Sequence, residues 1–420
     1  NLYTCVINAE GKIIVAGSTT DYNDYRILLL QLNADGTLDS SFGDAGVVVE
    51  NVSPAVGYFE NFAADIALDA NENILISGSS YNENYILRPV VLRFTPGGEL
   101  DTTFGEAGVA TGPTGEGASA FQAVLVQPDG KIIAAGFYGY TVFWTVLMVA
   151  RFNEDGTLDT TFSEDGYMQH SYSGSEDRGF SAELTPDGKI VVAGFTITNA
   201  NGYSAILMQV TNTGEIDTDF GNSGIVEGDI GDFDFADDLA ILNDGTILVV
   251  GSGGSQLDFD LAIWKFLPDG TPDASFDSDG LIQHELDNQN AFSYGVAIQD
   301  DGKVVIAGQA KAPNNINHFL LARLEHEAII SVNEMDVNTF NMYPNPVAPG
   351  QSIRIDTNTI SGSTMEFYSS TGALVYATSV GFNSGSAAFQ LPSDLAEGIY
   401  LVAIKDQGRK TYSKQLVVTR

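Results

Sequence analysis

Six apolar runs recur along the first three quarters of the chain: Ile27 to Leu32, Val90 to Phe94, Leu147 to Phe152, Ala205 to Val210, Leu261 to Phe266 and Phe319 to Leu324. Inside them, and in stretches such as Ile13-Ile14-Val15-Ala16, apolar residues follow one another without alternation. A strand with one wet face alternates apolar and polar positions, so an unbroken run predicts a strand covered on both faces. Upstream of each run stands Asp129-Gly130-Lys131-Ile-Ile-Ala-Ala-Gly136 or a relative: Glu10 to Gly17, Asn71 to Gly78, Asp187 to Gly194, Asp244 to Gly251 and Asp301 to Gly308. Asp-Gly between apolar stretches predicts a tight hairpin with a two-residue type I′ turn, here joining Ala123–Gln127 to Lys131–Ala135.

Downstream of the apolar runs comes Asp155-Gly-Thr-Leu-Asp159-Thr-Thr-Phe162-Ser-Glu-Asp-Gly166, with further copies beginning at Asp35, Gly97, Thr213 and Asp269. Its phenylalanines, Phe42, Phe104, Phe162, Phe220 and Phe276, are 62, 58, 58 and 56 residues apart. A fixed period of this size marks an array of one supersecondary unit. A short fourth strand, such as Val47–Val49 or Ile225–Val226, follows each copy. Four antiparallel strands in meander order, with the inner ones needing cover on both faces, bury themselves by stacking sheet against sheet around an axis. The expectation is an all-β fold: a six-bladed β-propeller of four-stranded blades over residues 1–333, with a linear stack as the alternative. The sixth period lacks the signature, so Ala328–Val332 or residues upstream of Asn1 would supply its last strand.

Past a linker at 334–339 the texture changes. Residues 340–420 predict strands at Phe340–Tyr343, Ser352–Asp356, Met365–Tyr368, Leu374–Thr378, Ala387–Leu391, Gly398–Ile404 and Tyr412–Val418, separated by turn-forming clusters. Seven short strands in so few residues fit a small immunoglobulin-like β-sandwich with the last hairpin at its edge.

Charge divides the chain at the same place. The whole carries 18 Lys and Arg against 55 Asp and Glu, a net charge of -37. Residues 338–420 hold six basic and five acidic side chains, so residues 1–337 hold 12 against 50. Such a surface repels phosphate, which argues against nucleic acid and against docking on anionic lipid. No apolar run is long enough for a transmembrane helix. The lone Cys5 reads as a small core residue. No signal peptide precedes Asn1, so an exported protein would already have lost it.

Candidate chemistry is sparse. The signature aspartates Asp39, Asp101, Asp159, Asp217 and Asp273 recur once per unit, whereas catalytic residues occur once per fold. They read as turn locks accepting bonds from nearby amides, and the phenylalanines three residues on as plugs between blades. Arg93, Arg151, Lys265 and Arg323, with Gln31 and Gln209 in the other two units, read as long side chains meeting neighbouring carboxylates. His170, His284, His318 and His326 show no zinc-ligand spacing. The acidic run with Asp229, Asp232, Asp234, Asp237 and Asp238 reads as a solvated loop, weak Ca²⁺ binding being its alternative; it lacks the order of a twelve-residue calcium loop. No other cofactor is expected. Nucleophile elbows, phosphate-cradling loops and Cys/His pairs are absent from the sequence.

The hairpin, the strand ending in Arg-Phe and the Asp-Gly-Xaa-Leu-Asp-Xaa-Xaa-Phe-Gly signature together resemble the Delta-60 repeat, a domain-of-unknown-function β-propeller, over nearly all of residues 1–327. The resemblance implies a propeller and no particular ligand. The tail resembles the C-terminal sorting domain, type A, of type IX secretion cargo in Bacteroidetes. The matching residues are Tyr343-Pro344-Asn345-Pro346, Ser369 to Val375, Gly398-Ile399-Tyr400-Leu401-Val402 and Lys414 to Val418, with Val417 in the last. That likeness implies export across the outer membrane to the surface or medium, recognition by the translocon and removal by a cell-surface sortase. The expected function is a non-enzymatic exported propeller presenting a surface to a glycan or protein; the alternative is a polysaccharide hydrolase or lyase.

Overall fold

In the computed structural model, the residues described are 1–420 except 22–23, 53–60, 142–143, 173–175, 198–201, 229, 256–257, 287–289, 300–302, 312–316, 325–334, 337–339, 358–362, 370–373, 383–385, 394, 407–409 and 420. The chain forms two compact units, Asn1–Ile298 and Gln299–Arg420, and the division falls inside the sixth repeat.

Every described element is a β-strand. The first sheet runs β1 (Leu2–Ile7), β2 (Ile13–Asp21), β3 (Asp24–Leu32) and β4 (Val47–Glu50) in meander order. The second repeats it with β5 (Asn61–Leu68), β6 (Ile74–Tyr81), β7 (Leu87–Phe94) and β8 (Val109–Thr111). The third uses β9 (Ala120–Val126), β10 (Ile132–Thr141), β11 (Trp144–Phe152) and β12 (Tyr167–His170). The fourth uses β13 (Asp177–Leu184), β14 (Ile190–Ile197), β15 (Tyr203–Val210) and β16 (Ile225–Gly228). The fifth uses β17 (Phe235–Ile241), β18 (Ile247–Ser255), β19 (Asp258–Phe266) and β20 (Leu281–His284). A sixth sheet has three described strands, β21 (Asn290–Ile298), β22 (Val304–Lys311) and β23 (Asn317–Leu324). These sheets are the six blades of a β-propeller. Ala328–Val332, the candidate for the missing strand, lies outside the described residues.

The unbroken apolar runs are buried on both sides, and the packing shows how. Ile74, Leu75 and Ile76 are consecutive and fully buried. Ile76 joins Ile14, Ala16 and Leu29 of the first sheet in one cluster. Leu75 faces the other way, into a cluster with Val124, Ile132 and Met148 of the third. Each sheet is thus the cover of its neighbour, and the first strands touch in succession: β1 with β5, β5 with β9, β9 with β13, β13 with β17 and β17 with β21.

Cover is incomplete at two places, which corrects the expectation for Cys5. That residue is exposed, as are Leu2, Tyr3 and Ile7 on the same strand and Val49 on β4. On β23, Leu320, Ala322 and Leu324 are buried while Phe319 is 86% exposed, so this strand alternates where an unbroken run predicted two covered faces.

The Asp-Gly hairpins differ from expectation too. Gln127 donates to the carbonyl of Lys131 at 2.8 Å and Gly130 to that of Gln127 at 2.9 Å, which closes a three-residue loop. Only its last residue has positive φ, at Gly130 (85°), Gly11 (76°), Gly188 (85°) and Gly245 (86°). A type I turn followed by one left-handed residue needs a single glycine, whereas a type I′ turn would need two positive φ values.

The strands from Met335 onward form a β-sandwich. One sheet is ordered β24 (Met335–Asp336), β31 (Lys410–Val418), β30 (Gly398–Asp406), β27 (Ser363–Ser369), β28 (Leu374–Val380); the other is β25 (Phe340–Tyr343), β26 (Ser352–Thr357), β29 (Ser386–Gln390). The two share a core of Ile353, Ile355, Met365, Phe367, Val402, Ile404 and Leu416. The last hairpin stops one strand short of the edge, because β24 pairs parallel to β31 through Met335 and Asp336.

Candidate functional site

The signature aspartates are bonding hubs within their own repeats, and at Asp101 and Asp159 the partner arginine carries on to the next sheet. Asp159 Oδ1 accepts from the Thr161 amide at 3.1 Å and hydroxyl at 2.7 Å. Its Oδ2 accepts from Lys131 Nζ at 2.6 Å and Arg151 Nε at 2.7 Å. The other copies keep the pattern with one cation each. Lys12 lies 2.8 Å from Asp39, Arg93 2.8 Å from Asp101, Lys189 2.6 Å from Asp217 and Lys265 2.8 Å from Asp273. Burial alone would raise the Asp159 carboxyl, but Lys131, Thr161 and Arg151 together hold it well below the usual range. The bonds from Lys12 and Lys265 lower Asp39 and Asp273 to about 2.

The same basic side chains lie over the signature phenylalanines, Arg93 4.6 Å from the centre of Phe104 and Arg151 4.8 Å from that of Phe162. Each guanidinium also donates across to the next sheet, Arg93 to the Glu154 carbonyl and Arg151 to that of Asn212, both at 2.6 Å. Gln31 and Gln209 are buried at the equivalent places, and Arg323 is exposed on β23. Phe42, Phe104, Phe162 and Phe220 are fully buried. Against each rests a glycine of the next repeat: a Cβ on Gly156 would lie 3.0 Å from Phe104 and 2.7 Å from the Gly105 amide nitrogen. Phe276 is half-buried.

A second set of acids lies on the first strand of its sheet, and sequence reasoning did not single out two of them, Asp65 and Glu183. Asp65 accepts from Thr4 Oγ1 of the preceding sheet at 3.1 Å and from the Val124 amide of the following one at 3.0 Å. Asp238 accepts from Ser181 Oγ at 2.6 Å and from the Val296 amide at 2.8 Å, again one sheet back and one forward. Burial pushes Asp65 up to about 6, and it raises Glu183, Asp237 and Asp238 as well. Repulsion from the Asp238 charge adds a smaller push upward to Asp65 and to Glu183. The signal was available: Thr4, Asp65, Ser181 and Asp238 are polar residues at one repeat position in the first strands of their sheets.

This corrects the reading of the acidic run as one solvated loop. Asp237 and Asp238 belong to β17, where repeat pairing draws them inward. Asp234 is fully buried and accepts amide bonds from Ile230 at 2.8 Å, Gly231 at 3.1 Å and Gly254 at 3.1 Å. Asp232 is exposed, and Asp229 lies outside the described residues. No group of three acidic, His or Cys side chains is placed to hold a metal ion among the described residues. His170 lies opposite Leu147 and His284 opposite Leu261, each beside an outer strand pairing. Burial lowers His170. His318 is on β23; His326 lies outside the described residues.

In the tail, landmarks far apart in sequence meet. Asn345 Oδ1 accepts from the Val417 amide at 2.8 Å. Val347 donates to the Val417 carbonyl and accepts from the Thr419 amide, both at 3.0 Å. The Tyr343–Pro344 and Asn345–Pro346 bonds are cis. Tyr343, Pro344, Asn345 and Pro346 are exposed. Tyr400 is buried, and its hydroxyl donates to the Ala396 carbonyl at 2.9 Å. Gly398 opens β30, and Lys414 pairs with Val402 in the β30–β31 register.

Comparison with known proteins matches two family models to the chain. The family described as "Domain of unknown function (DUF5122) beta-propeller" matches residues 9–42, 71–104, 127–162, 185–220, 242–276 and 299–325. The "Secretion system C-terminal sorting domain" matches residues 341–419. No curated protein matches the chain. Among solved structures, a protein of unknown function from Dyadobacter fermentans is 11% identical, covering 75% of this chain and 92% of its own, with a TM-score of 0.49. Trypanosoma rangeli sialidase in complex with the inhibitor DANA is 9% identical, covering 99% and 84%, at 0.45. An endo-arabinase from Bacteroides thetaiotaomicron is 10% identical, covering 78% and 95%, at 0.39. Likeness at this level says nothing of activity or ligand. No helix long and apolar enough to cross a membrane occurs among the described residues. The chain therefore carries six DUF5122 beta-propeller repeats followed by a type IX C-terminal sorting domain, which indicates export to the cell surface or the extracellular space.

Proposed function

We propose that the propeller is a non-enzymatic binding module that reaches the cell surface through its tail. In this reading the repeats are of the Delta-60 kind, residues 340–420 are a type A sorting domain, and Tyr343, Pro344, Asn345, Pro346, Gly398, Tyr400, Lys414 and Val417 specify it to the translocon, the first four as exposed residues and Tyr400 from within the fold. A cell-surface sortase then removes it. The observation that carries the non-enzymatic part is the bonding of Asp65 and Asp238: each carboxylate is engaged by both neighbouring sheets, which gives it a joining task. A general acid or base must be free to meet substrate.

One observation favours a second reading, a polysaccharide hydrolase or lyase. Asp65 raised to about 6, beside the raised Glu183 and Asp238, has the proton affinity that acid and base catalysts need near neutrality. Incubation of the purified chain with soluble glucans, xylans, arabinans and polyuronates, assayed for reducing ends and unsaturated products, separates the two. The binding reading predicts no turnover; turnover that disappears in Asp65→Asn or Asp238→Asn overturns it.

A further inference from the structure

The third blade departs from its neighbours at the outer end of the β10–β11 hairpin. The last cross-strand pairs of the corresponding hairpins are Asp21 with Asp24, Tyr81 with Leu87, Ile197 with Tyr203, Ser255 with Asp258 and Lys311 with Asn317. In the third blade the pair is Thr141 with Trp144, and Trp144 packs on Tyr140 with ring centroids 4.8 Å apart and planes at 33°. Tyr138 meets Tyr140 edge-on at 5.0 Å and completes a row of three rings. Tyr140 is 39% exposed and Trp144 42%, so the row is braced from behind and open in front.

The bracing is polar. Tyr140 donates its hydroxyl to Gln169 Oε1 at 2.8 Å, and Tyr138 donates to the Thr114 carbonyl at 3.3 Å. The Gln169 amide nitrogen has no partner among the described residues. From Gln169 an open groove of about 520 Å³ runs past Tyr167, Asp165 and Glu215.

We infer that Tyr140, Trp144 and Gln169 form a stacking platform for a sugar ring of an uncharged oligosaccharide. The proposal rests on the binding-module reading and names its ligand class. The C–H face of a pyranose is flat and apolar while its rim is all hydroxyl. Exposed rigid rings meet the first and an amide with neighbouring carboxylates meets the second. Tyrosine and tryptophan supply that contact area at small entropic cost, since each has only two side-chain torsions to fix. The charge of -37 selects against polyuronates and sulfated glycans, which leaves neutral chains.

The two tryptophans make the test direct: Trp264 is 4% exposed, so a change in emission on ligand addition reports Trp144. The full chain is titrated with cellohexaose, xylohexaose, maltohexaose and chitohexaose, followed by fluorescence and calorimetry. At least one hexaose is expected to shift the emission and bind. Trp144→Ala and Tyr140→Ala are expected to weaken that binding by about tenfold or more. Tyr140→Phe keeps the ring, loses the bond to Gln169 and weakens it less. Both side chains stand at the surface, and an unchanged melting curve for each variant confirms the fold. Absence of binding by every hexaose up to about 10 mM overturns the platform. Binding that survives Trp144→Ala overturns it too and leaves the binding-module reading standing. Consumption of a hexaose during titration overturns that reading and the platform with it.

Discussion

Asp65 and Asp238 make the same pair of bonds three blades apart, each accepting from a hydroxyl one sheet back, Thr4 or Ser181, and from an amide one sheet forward, Val124 or Val296. A side chain that bonds three successive sheets reports on their assembly, and its ionisation is therefore linked to folding.

The sign of that linkage is fixed by Asp65. Its folded carboxyl keeps a proton up to about pH 6 against 3.8 ordinarily, so folding takes up a proton between these values. Stability from this group rises as pH falls through 6 and is complete below 3.8, by an amount on the order of 3 kcal/mol. Glu183, Asp237 and Asp238 are raised and act in the same direction. Asp39 and Asp273, lowered to about 2, act oppositely: their contribution is present above 3.8 and lost as pH falls through 2. Urea midpoints should rise from about pH 8 to pH 5 and fall again below about pH 3. Asp65→Asn should flatten the first limb. A midpoint that drops between pH 8 and 5 contradicts the assignment.

Glu72 occupies the left-handed place that glycine holds in the neighbouring hairpins, with φ at 62°. Its carboxylate accepts one exposed amide bond, from Ala9 at 3.3 Å. Relief of the backbone strain outweighs that bond, so Glu72→Gly is expected to stabilise by about 0.5–1 kcal/mol. Equilibrium unfolding in urea reads the difference, and destabilisation would count against the strained-turn account.

Gly156 shows the reverse case. With φ at 82° and the Gly105 nitrogen 2.7 Å from where its Cβ would stand, Gly156→Ala combines strain with a backbone clash at the junction of two sheets. A loss of about 2–4 kcal/mol is expected. Gly188→Ala, with φ at 85° and no atom near its Cβ, should cost only about 1 kcal/mol. Equal losses would deny the junction its role.

The aspartate hubs should be graded by burial. Asp159, 4% exposed with Arg151 7% exposed, leaves two cations facing each other when removed. Asp159→Ala is expected to cost about 3–5 kcal/mol. Asp273, more open and paired among the described residues with Lys265 alone, should cost about 1 kcal/mol. Chemical denaturation of the two variants, with the order reversed, would refute the hub description.

What the residues disclosed in advance depended on how far each signal reaches. Runs such as Leu147 to Phe152 announced strands covered on both faces because burial is written locally in side-chain type, and the tail strands fell within a few residues of their predicted ends. The turn class was hidden because Asp129-Gly130 is compatible with two loop lengths, and only the register of Gln127 with Lys131 separates them. Cys5 was misjudged because an apolar strand does not say whether anything stands on its far side. Asp237 and Asp238 looked like loop acids beside Asp232 and Asp234; they are strand residues, and only alignment with Thr4, Asp65 and Ser181 reveals that. Asn345 and Val417 are 72 residues apart, a contact no local pattern contains.

The most direct measurement is fractionation of cells producing the full chain or a chain lacking residues 338–420, each assayed for surface and medium by protease accessibility and immunoblotting. The account predicts that the full chain reaches the surface or medium, while the truncated chain stays in the periplasm as a protease-resistant propeller. Undiminished appearance of the truncated chain outside the outer membrane would contradict it.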